Sequence, residues 1–248
     1  MNWFVRGLLA GIRTEAEPGG KDTPPSISPG LPRTTLHASP EAAIDIAAVC
    51  PTGAIVAHDA LASVVQDLCV HCMRCKPSDP GAAGGQEWRH DVRFAHGPEG
   101  GEAEPLDRRF TRSLHVRIVD AGDCGSCLNE LAQLNGPSYN LHRFGIFITP
   151  TPRQADVLLV VGPVTRQMRG PLKAAYDAMP DPKRVVAVGA CAAGGGIFGP
   201  SLMCAGGAAD AVPVDLVVPG CPPPPFAIVH ALRAVCGARP LDPSGNLG

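Results

Sequence analysis

The chain carries no excess of charge of either sign: 21 basic residues stand against 23 acidic ones, a formal net charge of −2. So weak a field gives no steering toward polyanions, which argues against nucleic acid as a partner and against strong attraction to anionic lipid. No run of about 20 apolar residues, the length needed to cross a bilayer, is present. The opening MNWFVRGLLAGIRTE is too short in its apolar part, and lacks a clear cleavage site, for a signal peptide. A protein that stays in the cytoplasm is therefore expected. Two phosphate-cradling patterns are also missing, G-x-x-x-x-G-K-S/T and a G-x-G-x-x-G following a first strand, so Gly194 to Gly196 do not make a nucleotide loop. No Ser-His-Asp arrangement can be assembled from spacing. The opening segment fits a short amphipathic helix with Trp3, Phe4, Leu8, Leu9 and Ile12 roughly on one side; docking to a partner subunit, lying on a membrane and a plain terminal helix all agree with it.

What the chain does have is cysteine, ten of them in 248 residues. In a cytosolic protein these are kept reduced, so metal ligation is the expected use, not disulfides. Their distribution follows two textures. Residues 16–40 and 76–112 are rich in Pro, Gly, Ser or Thr and read as extended connectors. Between them lies a cysteine-rich unit too small to bury a self-sufficient core, for which a metal centre would act as staple. From Leu114 onward the runs LHVRIVD, ADVLLVVG, RVVAVGA and VDLVVPG alternate with helix-length segments at 165–179 and 223–236. Continuous apolar runs fit strands buried on both faces of a parallel sheet. The fold class expected is α/β, a doubly wound, mostly parallel, flavodoxin-like sheet preceded by a small ferredoxin-like α+β module. The expected division is 1–40 (helix and connector), 41–85 (ferredoxin-like module), 86–112 (linker) and 113–240 (α/β domain).

In the small unit, DLCVHCMRCKPSDP supplies Cys69, Cys72 and Cys75 at two-residue intervals and then places Asp79-Pro80 where a ferredoxin run, C-x2-C-x2-C-x3-C-P, has its fourth cysteine. That fourth cysteine serves the other cluster of a two-cluster fold, so the triplet's own fourth ligand should come from an upstream Cys-Pro, which is Cys50-Pro51. Counting back from Cys50 by the same spacing gives Ile46, Ala43 and Pro40: the second triplet is erased in register. The stretch reads as half of a two-cluster ferredoxin, a single [4Fe-4S] centre on Cys50, Cys69, Cys72 and Cys75. A structural zinc on four thiolates is the alternative, although zinc modules usually pair two separated Cys-x-x-Cys knuckles. His71, between two ligands, reads as a loop residue that can also tune the centre.

In the larger unit, Cys124 and Cys127 follow LHVRIVD, Cys191 follows RVVAVGA and Cys221 follows VDLVVPG. Each position lies just past the carboxyl end of a predicted parallel strand, where open α/β sheets build their ligand crevice. Together they suffice for a second [4Fe-4S] cluster. Gly122, Gly125, Gly189, Gly194, Gly195, Gly196 and Gly220 would let backbone N–H groups approach its sulfides. Pro222 to Pro225 stiffen the exit from Cys221 and can start the next helix. Cys204 and Cys236 lack such surroundings and read as small apolar residues.

The stretches DCGSCLNE, RFGIFITPTPRQADVLLVVGPVT, PDPKRVVAVGACAAGGGIF and VPVDLVVPGCPPPP, within residues 113–236, resemble the family of small subunits of energy-converting membrane-bound [NiFe] hydrogenases, including the formate hydrogenlyase type, and of the cluster-bearing subunit of complex I. RGLLAGIRTE, CPTGAI and CVHCMRC resemble, more loosely, the ferredoxin-like subunit of the same complexes. The resemblance implies that Cys124, Cys127, Cys191 and Cys221 hold the proximal cluster. Cys-x-x-Cys at the first site, where complex I has adjacent cysteines, favours the hydrogenase branch. Glu130 matches an acidic position that can help proton movement at the subunit boundary; as a plain residue it is a first-turn helix carboxylate.

The resulting expectation is an oxidoreductase subunit, not catalytic alone, that relays electrons through two [4Fe-4S] clusters to or from a large [NiFe] catalytic subunit. Implied partners are that subunit or its complex I homologue, membrane ion-translocating subunits, and a soluble ferredoxin or other donor. Attachment to the cytoplasmic face of the membrane would be indirect, through partners. A complex I-like subunit passing electrons toward quinone and a zinc-stapled assembly scaffold are the alternatives.

Overall fold

In the computed structural model, the described residues are 2–10, 30–32, 35–37, 39–76, 88–89, 95–97 and 108–237. Asp79 and most of both connectors lie outside them. From the amino end, α1 (Trp3–Ala10) is an exposed helix of about two turns with Trp3, Leu8 and Leu9 in solvent. Short strands β1 (Leu31–Pro32) and β2 (Thr35–His37) follow, inside a segment whose composition reads as a connector. Helix α2 (Pro40–Ala48) starts where Ser39 Oγ accepts a hydrogen bond from the Ala42 N–H at 3.2 Å and Pro40 occupies the first turn, where no N–H is needed. β3 (Ile55–His58) and β4 (Leu61–Val64) form a hairpin, and the sheet order β2-β4-β3 is antiparallel throughout. A 3-10 turn (Gln66–Leu68) leads to the cysteine triplet, and β5 (Trp88–Arg89) pairs antiparallel with β1.

The core of this part is small: Ala43, Ile46, Ala54, Ile55, Ala62, Val64 and Cys69. Ala43 and Ile46, two of the three positions where a second cysteine triplet would fall, are buried in it at 0% and 5% exposure. Aliphatic packing has taken over the place of ligands.

The rest of the chain builds one five-stranded sheet. β6 (Leu114–Asp120) leads to α3 (Ser126–Gln133), β7 (Ile146–Ile148), β8 (Val157–Val161), α4 (Arg169–Asp177), β9 (Arg184–Val188), α5 (Ala190–Gly194), β10 (Leu216–Val218) and α6 (Pro225–Val235). The order β10-β9-β8-β6-β7 is parallel at every pairing. Renumbered from β6, it is the flavodoxin-like order 2-1-3-4-5, with its switch point between β6 and β8. β8 is buried at all five positions. Its side chains alternate: Val157, Leu159 and Val161 join α3 and α6 on one face, Leu158 and Val160 join α4 and α5 on the other. β7, three residues on the sheet edge, was not foreseen from the sequence, whereas the four long apolar runs all form strands. Among the described residues no helix is long and apolar enough to cross a membrane.

Two contacts tie the small sheet's surroundings to the large one. The 3-10 turn packs on α5. His96 exchanges both backbone hydrogen bonds with Val217 of β10, at 3.0 and 2.8 Å, and sets its Nε2 3.0 Å from Asp67 Oδ1. The Asp67 carboxylate beside it holds the His96 imidazolium above the ordinary histidine range despite partial burial. A raised folded-state value means that this contact adds stability below the unfolded histidine value of about 6.5 and loses it as pH climbs through the folded value. The urea midpoint of the native chain should therefore exceed that of Asp67→Asn most at pH 5.5 and converge with it by pH 8.5; a gap that widens with pH would refute the pairing.

Candidate iron-sulfur sites

The Cys50 loop, CPTGAI, follows α2 and turns back on itself at Gly53. Burial alone would push the Cys50 thiol up, but the N–H groups of Thr52, Ile55 and Ala54 and the Thr52 hydroxyl face its sulfur and bring it below its ordinary value. Thr52 Oγ1 also donates to Leu68 O at 2.8 Å, clamping this loop to the residue before Cys69. In CVHCMRC, His71 and Met73 take positive φ values of 52° and 59°, so the chain curls through the triplet instead of extending. Cys50, Cys69, Cys72 and Cys75 line one small cavity, shared with Pro32, Ile55, Val64 and Trp88. Burial pushes Cys69 up to about 11, the His71 N–H opposes this, and the charges of Cys75, Cys50 and Cys72 add to it. Cys75 is raised by burial too, with the neighbouring Trp88 indole opposing the shift. His71, read from sequence as a loop residue, is half-buried edge-on against Trp88 with ring centroids 5.7 Å apart, and burial pushes it down to about 4.

The second group forms at the carboxyl ends of β6, β9 and β10. Two aspartates knit the first loop. Asp120 Oδ1 accepts from the N–H groups of Gly122 and Asp123, at 2.9 and 2.7 Å. Asp123 Oδ2 accepts from those of Gly125 and Leu128, at 2.9 and 3.2 Å, capping α3 in place of its N-cap glycine. Cys127 is thereby turned inward at 5% exposure while Cys124 stays exposed. The ends of β9 and β10 remain paired past the strands, Gly189 N–H to Val218 O at 2.8 Å and Ala190 N–H to Gly220 O at 2.7 Å, which brings the Cys191 and Cys221 loops side by side. Glycine is required at two places. A Cβ on Gly189 would sit 2.6 Å from Cys127 Sγ, and one on Gly196 would sit 2.7 Å from Cys191 Sγ, each at a positive φ that disfavours a side chain.

Mutual electrostatics show the convergence. Cys127 is pushed up by burial, then by the charges of Asp123, Cys221, Cys191 and Cys124. Cys191 is pushed up to about 11 by burial, then by Cys221, Cys124 and Asp123, against the Ile197 N–H. Cys221 rises by burial, then by Cys124 and Asp123. Asp123 is a member of this nest that sequence reasoning missed; its signal was an aspartate directly before the first cysteine at a strand-to-helix turn. Of the glycines assigned to the cradle, Gly194 does something else and meets Leu68 of the small sheet's turn. Cys236 is buried at 3% exposure, and Cys204 lines a separate open cleft with Arg166 and Arg169. Glu130 lies on α3 beyond its first turn, not in it as expected; burial raises its carboxyl, and burial, then the Glu130 charge, raises the Tyr139 phenol.

The donor set bears on which group fits. A single tetrahedral zinc holds four sulfurs about 2.3 Å from one point, hence roughly 3.8 Å from each other. In a four-iron cubane each thiolate takes a different iron, and N–H groups facing the sulfurs tune the centre. Because most of these thiols are raised, they are neutral when empty, and loading releases protons.

Residues 124–235 match the family described as NADH ubiquinone oxidoreductase, 20 Kd subunit. An uncharacterized protein of Methanocaldococcus jannaschii is 46% identical over 124 residues, 50% of this chain and 83% of that protein. A probable membrane-bound hydrogenase subunit of Pyrococcus furiosus is 44% identical over 121 residues, 49% of this chain and 72% of that protein. Formate hydrogenlyase subunit 7 of Escherichia coli K12 is 42% identical over 132 residues, 53% of this chain and 52% of that protein.

On the expectation of one four-iron cluster per nest, Gly189→Ala should remove about four iron and four sulfide per chain and leave the other nest filled. Unchanged iron in that variant would show that Cys127 and Cys191 do not act together.

Proposed function

Since the chain belongs to the family of NADH-ubiquinone oxidoreductase 20-kDa subunits, whose members are oxidoreductase subunits, we propose that it relays electrons through two [4Fe-4S] clusters in a membrane-associated, energy-converting hydrogenase-type complex. Cys124, Cys127, Cys191 and Cys221 would hold one cluster; Cys50, Cys69, Cys72 and Cys75 would hold the other. The observation that carries this reading is geometric: the loops after β9 and β10 stay paired past the strands, and Gly189 at their junction packs against Cys127 from the loop after β6. When bound, such clusters supply one-electron exchange at potentials set by hydrogen bonds, charge and exposure.

This chain's own residues would set those terms. The N–H groups and hydroxyl facing Cys50 would stabilise the reduced state of the first centre, while the Asp123 carboxylate among the second group's thiols would disfavour added negative charge there. Trp88, backed by His71, would keep water from one wall of the first centre. Glu130, its carboxyl raised by partial burial, would help proton movement at a subunit boundary.

The chain's ten cysteines leave no set for nickel once eight are assigned, so hydrogen chemistry would belong to a large partner subunit. The family's description in terms of NADH and ubiquinone keeps a quinone-directed role as the second reading. Isolated without oxygen, the chain should be brown and contain about eight iron and eight sulfide, and the complex pulled out through it should contain nickel. Iron with no nickel in the large partner would favour the quinone reading. Stoichiometric zinc with no visible absorbance would overturn both.

A further inference from the structure

We infer that the 3-10 turn Gln66–Leu68 is a fixed joint between the two thiol nests, held by Gly194 and His96 as positioning residues; the inference rests on the two-cluster reading above. Leu68 immediately precedes Cys69, and Gly194 ends α5, three residues after Cys191. A Cβ on Gly194 would lie 2.8 Å from Leu68 Cδ2 and 3.2 Å from Asp67 O. Gly194 is not among the positive-φ glycines, so close approach, not backbone conformation, accounts for it. One side-chain contact thus separates a segment bearing a thiol of one nest from a segment bearing a thiol of the other.

A single contact is a pivot. The second strut is His96, whose ring meets Asp67 at 3.0 Å and whose backbone is paired with Val217, four residues before Cys221. α5 and β10 therefore grip the same turn from separate elements, and each carries the chain toward a thiol of the second nest. On the small side the turn is equally committed: Gln66 Nε2 donates to Pro32 O at 2.9 Å, and Leu68 O accepts from Thr52, whose hydroxyl also faces Cys50. Every residue of the turn has a partner that leads to one nest or the other. An electron lost at one nest and gained at the other makes and breaks no bond, so its rate depends on the width and filling of the gap. The joint fixes both.

The test uses the full-length chain purified without oxygen, with variants Gly194→Val, His96→Ala and Gly194→Val/Leu68→Ala. Hydrogen exchange reports the turn itself, through the amides of Leu68 and Cys69, which donate to Val65 O and Gln66 O. Electron paramagnetic resonance of the dithionite-reduced protein reports the magnetic interaction between the two centres. Gly194→Val and His96→Ala should each lose protection at the turn and weaken that interaction at unchanged iron and sulfide, and Leu68→Ala should restore part of both by making room. Protection and interaction left unaltered in both single variants would overturn the joint. Iron for one cluster in the parent chain would instead sink the two-cluster reading, and the exchange data would still decide the joint.

Discussion

Parallel strands deliver all their carboxyl ends to one side of a sheet, and the arrangement of thiols in the larger unit follows from that constraint. Cys124, Cys127, Cys191 and Cys221 are separated by up to 97 positions in the chain, yet β6, β9 and β10 release them at one end. The switch point between β6 and β8 opens a crevice there, because the helices leaving on either side fall on opposite faces. β8, buried at every position, supplies no cysteine; it holds the crevice walls at a fixed distance. Two aspartate clamps then hold the first loop, and glycines make room beside the Cys127 and Cys191 sulfurs.

The smaller unit is governed by scarcity. Its buried cluster is made of alanines, two isoleucines, a valine and a cysteine, which is little apolar area for a three-stranded sheet and one helix. The remaining order comes from polar clamps: Ser39 on α2, Thr52 on Leu68, Gln66 on Pro32. A metal centre in its cavity would add a cross-link among three segments that are otherwise weakly joined. Contact with α5 and β10 adds another, so the small unit leans on the large one for its stability.

Much of this was legible beforehand, for physical reasons. Runs such as VLLVV identify strands buried on both faces, and cysteines placed just beyond them mark a crevice wherever the strands are parallel. The flavodoxin-like sheet expected from these runs carries the order 2-1-3-4-5 that the structure has. β7 escaped notice because an edge strand of three residues leaves no period to detect. Asp120 and Asp123 looked like ordinary polar turn residues until their oxygens met four backbone N–H groups. Three consecutive glycines could not be told apart by composition: Gly196 accommodates a sulfur, whereas Gly194 accommodates Leu68. His71 was legible as a loop residue but not as the neighbour of Trp88, because that contact is set by the fold around it.

The central claim is that eight cysteines form two iron-holding groups, one within the small unit and one at the strand ends of the large one. Anomalous scattering from crystals of the anaerobic protein, recorded on both sides of the iron and zinc absorption edges, tests it most directly. The account predicts two compact iron peaks, one inside the cavity lined by Cys50, Cys69, Cys72 and Cys75 and one among Cys124, Cys127, Cys191 and Cys221, with no zinc signal at either. A zinc peak at either place, or an iron peak lacking any one of its four assigned cysteines, would contradict it.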